Sequence, residues 1–473
     1  MAELGSLPVP NAMALAWSPK STFITTWSKP SSGKDNSEKN LQVWDRSTGE
    51  CVFKAFQKSF QRDYWPSMQF SDDEATAIRL VTNEVHVHDA TADLTQIARK
   101  LRLDGVGAAA LAPGGKPLVA CYVPEIKGAP ASVRIYDHTQ FQVGPGKQEA
   151  PQPLARRSFF KSSSVTFDWN ATGTAVLVLA SCDVDKTNQS YYGEQNLHFL
   201  AADGSEECGV DCKEGPIHDV KWSPTGDFFI VVHGFMPAKS TLFSSTCKAV
   251  YDMGSAARNT VRWSPTGRFF CLGGFGNLPG ELEFYEKTAR SARSIGKIKA
   301  PCTVSCEWGP DGRHLLTATT APRLRVDNGY KIYKYNGELV HKQDMECLYQ
   351  AAWRPAPVEV YPNRPMSPGA KGAVDSAKAA APFRPSAYRP PHATGGSSAQ
   401  FSMGYDKSET KPGKIPAFRP SMANNLPPGA EPAKAPSKNA KKRAKKKAGG
   451  GEGEGGGGGA DEAAAGVGGE TLK

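Results

Sequence analysis

The chain has 473 residues, 39% of them hydrophobic, which is enough for a large core, but 47 glycines and 36 prolines mean that part of it has no compact fold to build. Its longest apolar run, TAVLVLA at 174–180, is far short of the roughly 20 residues that a helical membrane span requires. A formal charge of +10 favours an acidic partner, and ten cysteines without a secreted-framework spacing, behind a start that lacks a signal peptide, predict reduced thiols in an intracellular protein.

One phrase organises the chain. WSPTG occurs at Trp222–Gly226 and again at Trp263–Gly267, each time followed by a run of large apolar residues. Relaxed to an aromatic or apolar residue, a small polar residue and a turn pair, it recurs in chain order. Its stations are Trp17, Phe70, Leu111, Trp169, Trp222, Trp263, Trp308 and Trp353, about 40 to 60 residues apart, which fits propeller blades. Proline fixes φ for the first corner of such a turn and glycine closes it with positive φ, so each station ends one strand and opens the next. The runs that follow, AVLVLA and FFIVV, lack polar alternation and predict second strands covered on both faces. Leu41–Asp45, Glu84–Asp89, Ser132–Asp137 and Lys331–Gly337 alternate and predict third and outer strands. Counting full sets gives an all-β chain, a β-propeller of seven blades from Ala12 to about His341, with an extra first strand, LYQAAW, at Leu348–Trp353. The propeller domain occupies residues 1–355. Residues 356–473, rich in Pro, Ala, Gly, Ser and Lys, are expected to form a disordered tail because they bury too little surface to offset ordering entropy.

Catalytic and cofactor chemistry finds little support. Gly105-Val-Gly107-Ala-Ala-Ala110 superficially matches a dinucleotide fingerprint, but no strand–helix unit surrounds it, and it is expected to be a loop between blades. Asp183, Asp185 and Glu194 read as turn caps on a long loop rather than as a paired acid and base. Cys208/Cys212 and Cys302/Cys306 have no second ligand pair at zinc spacing and are expected to be small buried thiols. No Gly-x-x-x-x-Gly-Lys-Ser/Thr loop or nucleophile elbow is present. The expectation is a non-enzyme with no cofactor, metal or small-molecule substrate.

Basic residues carry more information. In APRLRVDNGYKIYKY, Arg323 and Arg325 are expected on one side of an extended segment, with Tyr330 and Lys331 beyond the Gly329 turn. This is either a charge-decorated surface strand or an RNA-facing rim. In the tail, Phe383-Arg384-Pro385, Tyr388-Arg389-Pro390 and Phe418-Arg419-Pro420 join a flat ring to a guanidinium on a stiff backbone, suited to groove docking or base stacking, or simply a biased linker. The segment 438–449 concentrates Lys441, Lys442, Arg443, Lys445, Lys446 and Lys447; it reads as RNA or ribosome contact, or as a nuclear import signal or solubilising tail.

Several longer phrases resemble the eukaryotic translation initiation factor 2A family. These are SFFKSSSVTFDWN, VLVLASCDVDKTNQSYYGEQNLHF, HGFMPAKSTLF, GFGNLPGELEFYE and TATTAPRLRVDNGYKIYKYNG, together with NEVHVHD and VPEIKGAPASVRIY. The resemblance covers nearly all of Ala12–Pro355 and extends weakly into the tail. It implies a nine-bladed propeller factor that brings initiator methionyl-tRNA to the small ribosomal subunit, dependent on the start codon rather than on GTP and acting on a subset of mRNAs. Its tail would engage mRNA and other initiation factors through the aromatic-Arg-Pro repeats and Lys441–Lys447, in the cytoplasm, with the nucleus open to the basic segment. Family members carry roughly one and three-quarter further blades before Ala12–Trp17, so the expectation is a shortened N-terminus and a ring whose closure is open. A different class remains alongside it: a protein-only scaffold similar to the propeller subunit of initiation factor 3, or a nuclear WD-repeat adaptor.

Overall fold

The computed structural model describes residues 6–9, 11–30, 39–126, 128–144, 151–182, 193–362 and 364–366. All belong to the first of two units, Met1–Arg384 and Pro385–Lys473. The tail motifs from Phe383 to Lys447 and the pair Asp183 and Asp185 lie outside the described residues.

Among the described residues, 28 strands and three single turns of 3-10 helix account for all regular structure. The strands form seven four-stranded antiparallel sheets, each a meander in chain order. These are blades 1 to 7, spanning residues 12–55, 68–102, 108–159, 164–209, 217–256, 260–299 and 305–344. The fold is a β-propeller.

The station phrase has a local cause. The small polar residue after the aromatic caps the turn: Oγ of Ser18, Ser223 and Ser264 accepts the amide of the residue five positions on, at 2.9, 3.2 and 3.0 Å. Asn170 does the same with its side-chain oxygen, to the Thr174 and Ala175 amides. Glycine closes the turn because a neighbour leaves no room. Gly173 has φ +64°, and a Cβ there would lie 2.4 Å from the Pro113 carbonyl of the preceding blade.

The same stations join the blades. Trp222 donates its indole N–H to the carbonyl of Asp168, Trp263 to Lys221, Trp308 to Arg262, at 2.8, 3.2 and 3.0 Å. In each case the acceptor is the residue just before the preceding station tryptophan. Blade 3 has Leu111 rather than tryptophan at its station, and there Gln69 of blade 2 bridges instead, donating to the Ala109 carbonyl and accepting from the Leu111 amide, both at 2.9 Å. Behind these inner contacts, six clusters of buried apolar residues fill the six successive interfaces from blades 1–2 to blades 6–7. A single blade cannot bury both faces of its sheet, so stacking supplies the core that the repeat requires.

Three expectations need correction. Leu348–Trp353 forms no strand: its backbone bonds are isolated, the Ala321 amide on the Leu348 carbonyl at 2.7 Å and the Leu348 amide on Asn328 Oδ1 at 3.0 Å, and they build no ladder among the described residues. It nevertheless keeps its station, since Trp353 donates to the Glu307 carbonyl at 3.2 Å, continuing the stair by one step. Lys331–Gly337 shifts to Gly329–Lys334 because Asn336 and Gly337 form the turn, with the Gly337 amide on the Lys334 carbonyl at 2.9 Å. Arg323 and Arg325 are not on an extended segment; the Thr320 carbonyl accepts the amides of both Arg323 and Leu324, which closes a turn.

Candidate functional surface

A propeller presents two faces. On one lie the station turns and the hairpins between third and fourth strands; on the other emerge the connections between blades and those between second and third strands. The exposed large apolar residues favour the second face, which carries Phe60, Ile126, Phe160, Phe235, Met236 and Val326. Phe160 is 57% exposed and Val326 64%, and Phe235 and Met236 sit on the tight connection Gly234–Pro237 of blade 5. Exposed aromatics brought together on one face mark an interaction surface more than isolated ones do.

Arg323 and Arg325 occupy this face, both exposed, on the connection between Thr319 and Gly329. The Arg323 guanidinium reaches over the blade 6 connection, 3.4 Å from where a Cβ on Gly276 would stand. Lys331 is elsewhere. It lines a cavity of about 420 Å³ with Asp327, Lys342, Asp344, Cys302 and Thr303. The three residues therefore share a blade but not a patch, and one carboxylate beside Lys331, Asp344, pairs with Lys342.

The central channel is occupied on one side. The connection from blade 1 to blade 2 drops inward, and the Tyr64 hydroxyl donates to the Val165 carbonyl of blade 4 at 3.0 Å. Burial raises the pKa of this phenol. A second cavity, of about 350 Å³, lies beside this plug against Trp17, Met68, Ala109 and Phe167. Binding surfaces are therefore the faces and the rim.

Buried charges inside the ring are structural. Arg258, 6% exposed, donates to Glu283 and to the Tyr285 hydroxyl. Burial pushes the Tyr285 phenol far up. Asp168, on the innermost strand of blade 4, is pushed up to about 6 by burial, with Lys221 opposing and Asp219 adding to the shift. Its Oδ2 has no hydrogen-bond partner among the described residues.

Glu194 opens the third strand of blade 4 and pairs with Lys161 at 2.8 Å, both partly exposed, an arrangement for holding a loop rather than for proton transfer. Gly105 and Gly107 lie on the connection into blade 3, as expected for a loop between blades. Cys208 and Cys212 pack beside the core of blades 4 and 5 next to Cys247, and Cys306 beside that of blades 6 and 7. Cys302 departs from the expectation of burial: it is exposed, at φ +60° in a turn. Among the described residues no group of three or more His, Cys, Asp or Glu is placed to hold a metal ion. No helix among them is long and apolar enough to cross a membrane.

Sequence reasoning missed the Tyr64 plug and the apolar face. Neither has a repeat signature, because both sit on connections whose lengths vary from blade to blade.

Comparison with known proteins bears on the family. The family profile described as "Eukaryotic translation initiation factor eIF2A" matches residues 157–351. The Eukaryotic translation initiation factor 2A of Schizosaccharomyces pombe is 38% identical over 405 residues, covering 83% of this chain and 68% of the relative. Across five relatives of that name the chain spans 52% to 68% of their length. A solved structure described as "Crystal structure of the eukaryotic initiation factor" superposes with a TM-score of 0.65 at 37% identity, over 74% of this chain and 82% of that one. More distantly, a subunit of Eukaryotic translation initiation factor 3 from Xenopus laevis is 26% identical over 357 residues, covering 72% of this chain and 48% of the relative.

Proposed function

Since the chain belongs to the eukaryotic translation initiation factor 2A family, we propose that it directs initiator methionyl-tRNA to the small ribosomal subunit, dependent on the start codon and independent of GTP, on a subset of mRNAs. The observation that carries this reading is the 38% identity over 405 residues to the fission yeast factor. The missing phosphate-binding loop supports independence from GTP. In this reading the ring is a rigid docking body, while Lys441–Lys447 add affinity for tRNA or mRNA by neutralising phosphates. The aromatic-Arg-Pro triplets at Phe383, Tyr388 and Phe418 meet other initiation factors, and the work is cytoplasmic. The test is retention of labelled initiator methionyl-tRNA on small subunits programmed with AUG. Retention that is unchanged when GTP is replaced by GDP, and lost when AUG is replaced by an unrelated codon, is expected; retention that follows GTP, or ignores the codon, overturns the proposal.

A second reading keeps the ring as a protein-only scaffold. The apolar connection face around Phe160, Phe235 and Met236 favours it, since a protein partner, not RNA, would cover such residues. Cosedimentation with nuclease-treated small subunits separates the two, because a scaffold indifferent to RNA binds equally before and after treatment.

A further inference from the structure

Blade 3 places two arginines directly opposite each other. Arg134 on its third strand, Ala131–Asp137, pairs in register with Arg156 on its fourth, Ala155–Phe159. Like charges in directly opposed positions destabilise a sheet, and neither side chain has an ion pair among the described residues. A second opposed pair of cations, Lys331 and Lys342, shows the usual remedy: Lys342 bonds Asp344 at 2.7 Å. No such remedy is present at Arg134 and Arg156.

Register fixes where they point. Arg134 is paired with Cys121, and Cys121, Val119 and Tyr136 belong to the cluster packed against blade 2, so Arg134 and Arg156 face blade 2. Across the interface, Arg99 is paired with Val87, a member of the same cluster, and therefore faces blade 3. Three arginines on outer strands thus face one interblade groove, two from one lip and one from the other. The charges of Arg134 and Arg156 both reach Tyr136, and that of Arg99 reaches His138, one residue past the same strand. Arg134 is held in place by its Nε, which donates to the hydroxyl of buried Ser132 at 3.3 Å, while Ser158, opposite Ser132, is exposed. Asp89 accepts from the hydroxyl and amide of Thr91, which hold its carboxyl low with the charge of nearby Arg99 adding to the shift, and Asp137 accepts from those of Thr139; neither forms an ion pair with the three arginines among the described residues.

We infer that the outer groove between blades 2 and 3 is a docking site for an RNA phosphodiester backbone, held by Arg99, Arg134 and Arg156. Guanidiniums fork onto phosphate oxygens in pairs of hydrogen bonds, and contacts of this kind position RNA without reading its sequence. A bound phosphate also removes the repulsion that the sheet carries when empty, so a pairing unfavourable to the free fold becomes an asset in the complex. The inference deepens the proposed function and rests on it only for the choice of RNA as the polyanion.

The experiment uses the full chain with Lys441, Lys442, Arg443, Lys445, Lys446 and Lys447 replaced by glutamine, so that the tail does not mask the rim. Affinity for fluorescein-labelled RNA hairpins of mixed sequence is measured across a salt series, with polyglutamate as competitor. The double variant Arg134→Gln/Arg156→Gln is expected to lose at least about tenfold in affinity and to lower the magnitude of the log–log salt slope by about 2, near 0.9 for each phosphate no longer neutralised. Its melting temperature is expected to be unchanged or higher, because the opposed charges are gone, which separates lost binding from lost folding. Arg99→Gln loses a smaller share of both, and Arg134→Lys/Arg156→Lys keeps most of the slope. Unchanged affinity and slope in the double variant overturn the site, and so does polyglutamate competing as well as RNA of equal charge, which would assign the groove to an acidic protein. RNA binding through this groove in a chain that fails to retain initiator tRNA on small subunits would sink the proposed function and leave the site standing.

Discussion

Trp308 ends the innermost strand of blade 7, 6% exposed, with its indole N–H on the Arg262 carbonyl of blade 6. Trp308→Phe keeps most of the ring and removes one donor from a carbonyl that is also paired in the ladder with Cys271, so a loss of about 0.5–1.5 kcal/mol by denaturant titration is expected. Trp353→Phe, at the exposed last step of the stair, should cost less. Asp168 gives a prediction with a pH window. Its folded pKa, about 6, lies above the unfolded value near 3.8, so its favourable contribution is complete below about pH 4 and is lost as pH rises through 6. At pH 7 the ionised, buried carboxylate therefore destabilises the fold by on the order of 3 kcal/mol. Asp168→Asn should raise the melting temperature by several degrees at pH 7 and hardly at all at pH 4; an equal shift at both would show that ionisation is not the cause. At this scale the sequence was legible where a residue repeats a role. The caps at Ser223 and Ser264 and the tryptophans at 222, 263 and 308 announce themselves by recurrence. Asp168 does not, since its burial depends on what blade 5 places over it.

Blades are the elements at which reading from sequence works best, and the reason is physical. Second strands such as Ala175–Cys182 and Phe228–His233 are apolar on both faces because each is covered by a blade on either side. Leu41–Asp45 and Glu84–Asp89 begin and end at the expected residues because turn chemistry limits them. The extra strand at Leu348–Trp353 was legible as a station but not as a strand, because ladder pairing depends on a neighbour and the station contact does not. The first strand, Ala12–Trp17, is its counterpart: Met13, Leu15 and Trp17 lie on one side of it and are all more than half exposed. Connections were the least legible element. Gly234–Pro237 displays Phe235 and Met236 through its backbone course, not through any pattern. Replacing both by serine should leave melting within about 1 °C, as surface changes of at most about 0.5 kcal/mol do, while weakening association with small ribosomal subunits several-fold in a pull-down. Undiminished association would remove the connection face from the account.

At the scale of the molecule, six apolar interfaces in series make a body that holds its faces and rim in fixed relation, as docking of a large partner requires. The family, and with it the role of a translation initiation factor, was legible mainly through long family phrases. Composition suggested an acidic partner but not which surface meets it, because charge counted along a chain does not say which strand faces which. The opposed arginines of blade 3 became visible only once register was known. The measurement that most directly tests the central claim is cosedimentation of the chain with purified small ribosomal subunits, with and without residues 356–473, at low and high salt. The account predicts binding by the whole chain that falls steeply with salt, and a weaker, less salt-sensitive remainder from the ring alone. Absence of the whole chain from the ribosomal pellet at low salt, or binding indifferent both to salt and to removal of the tail, would contradict it.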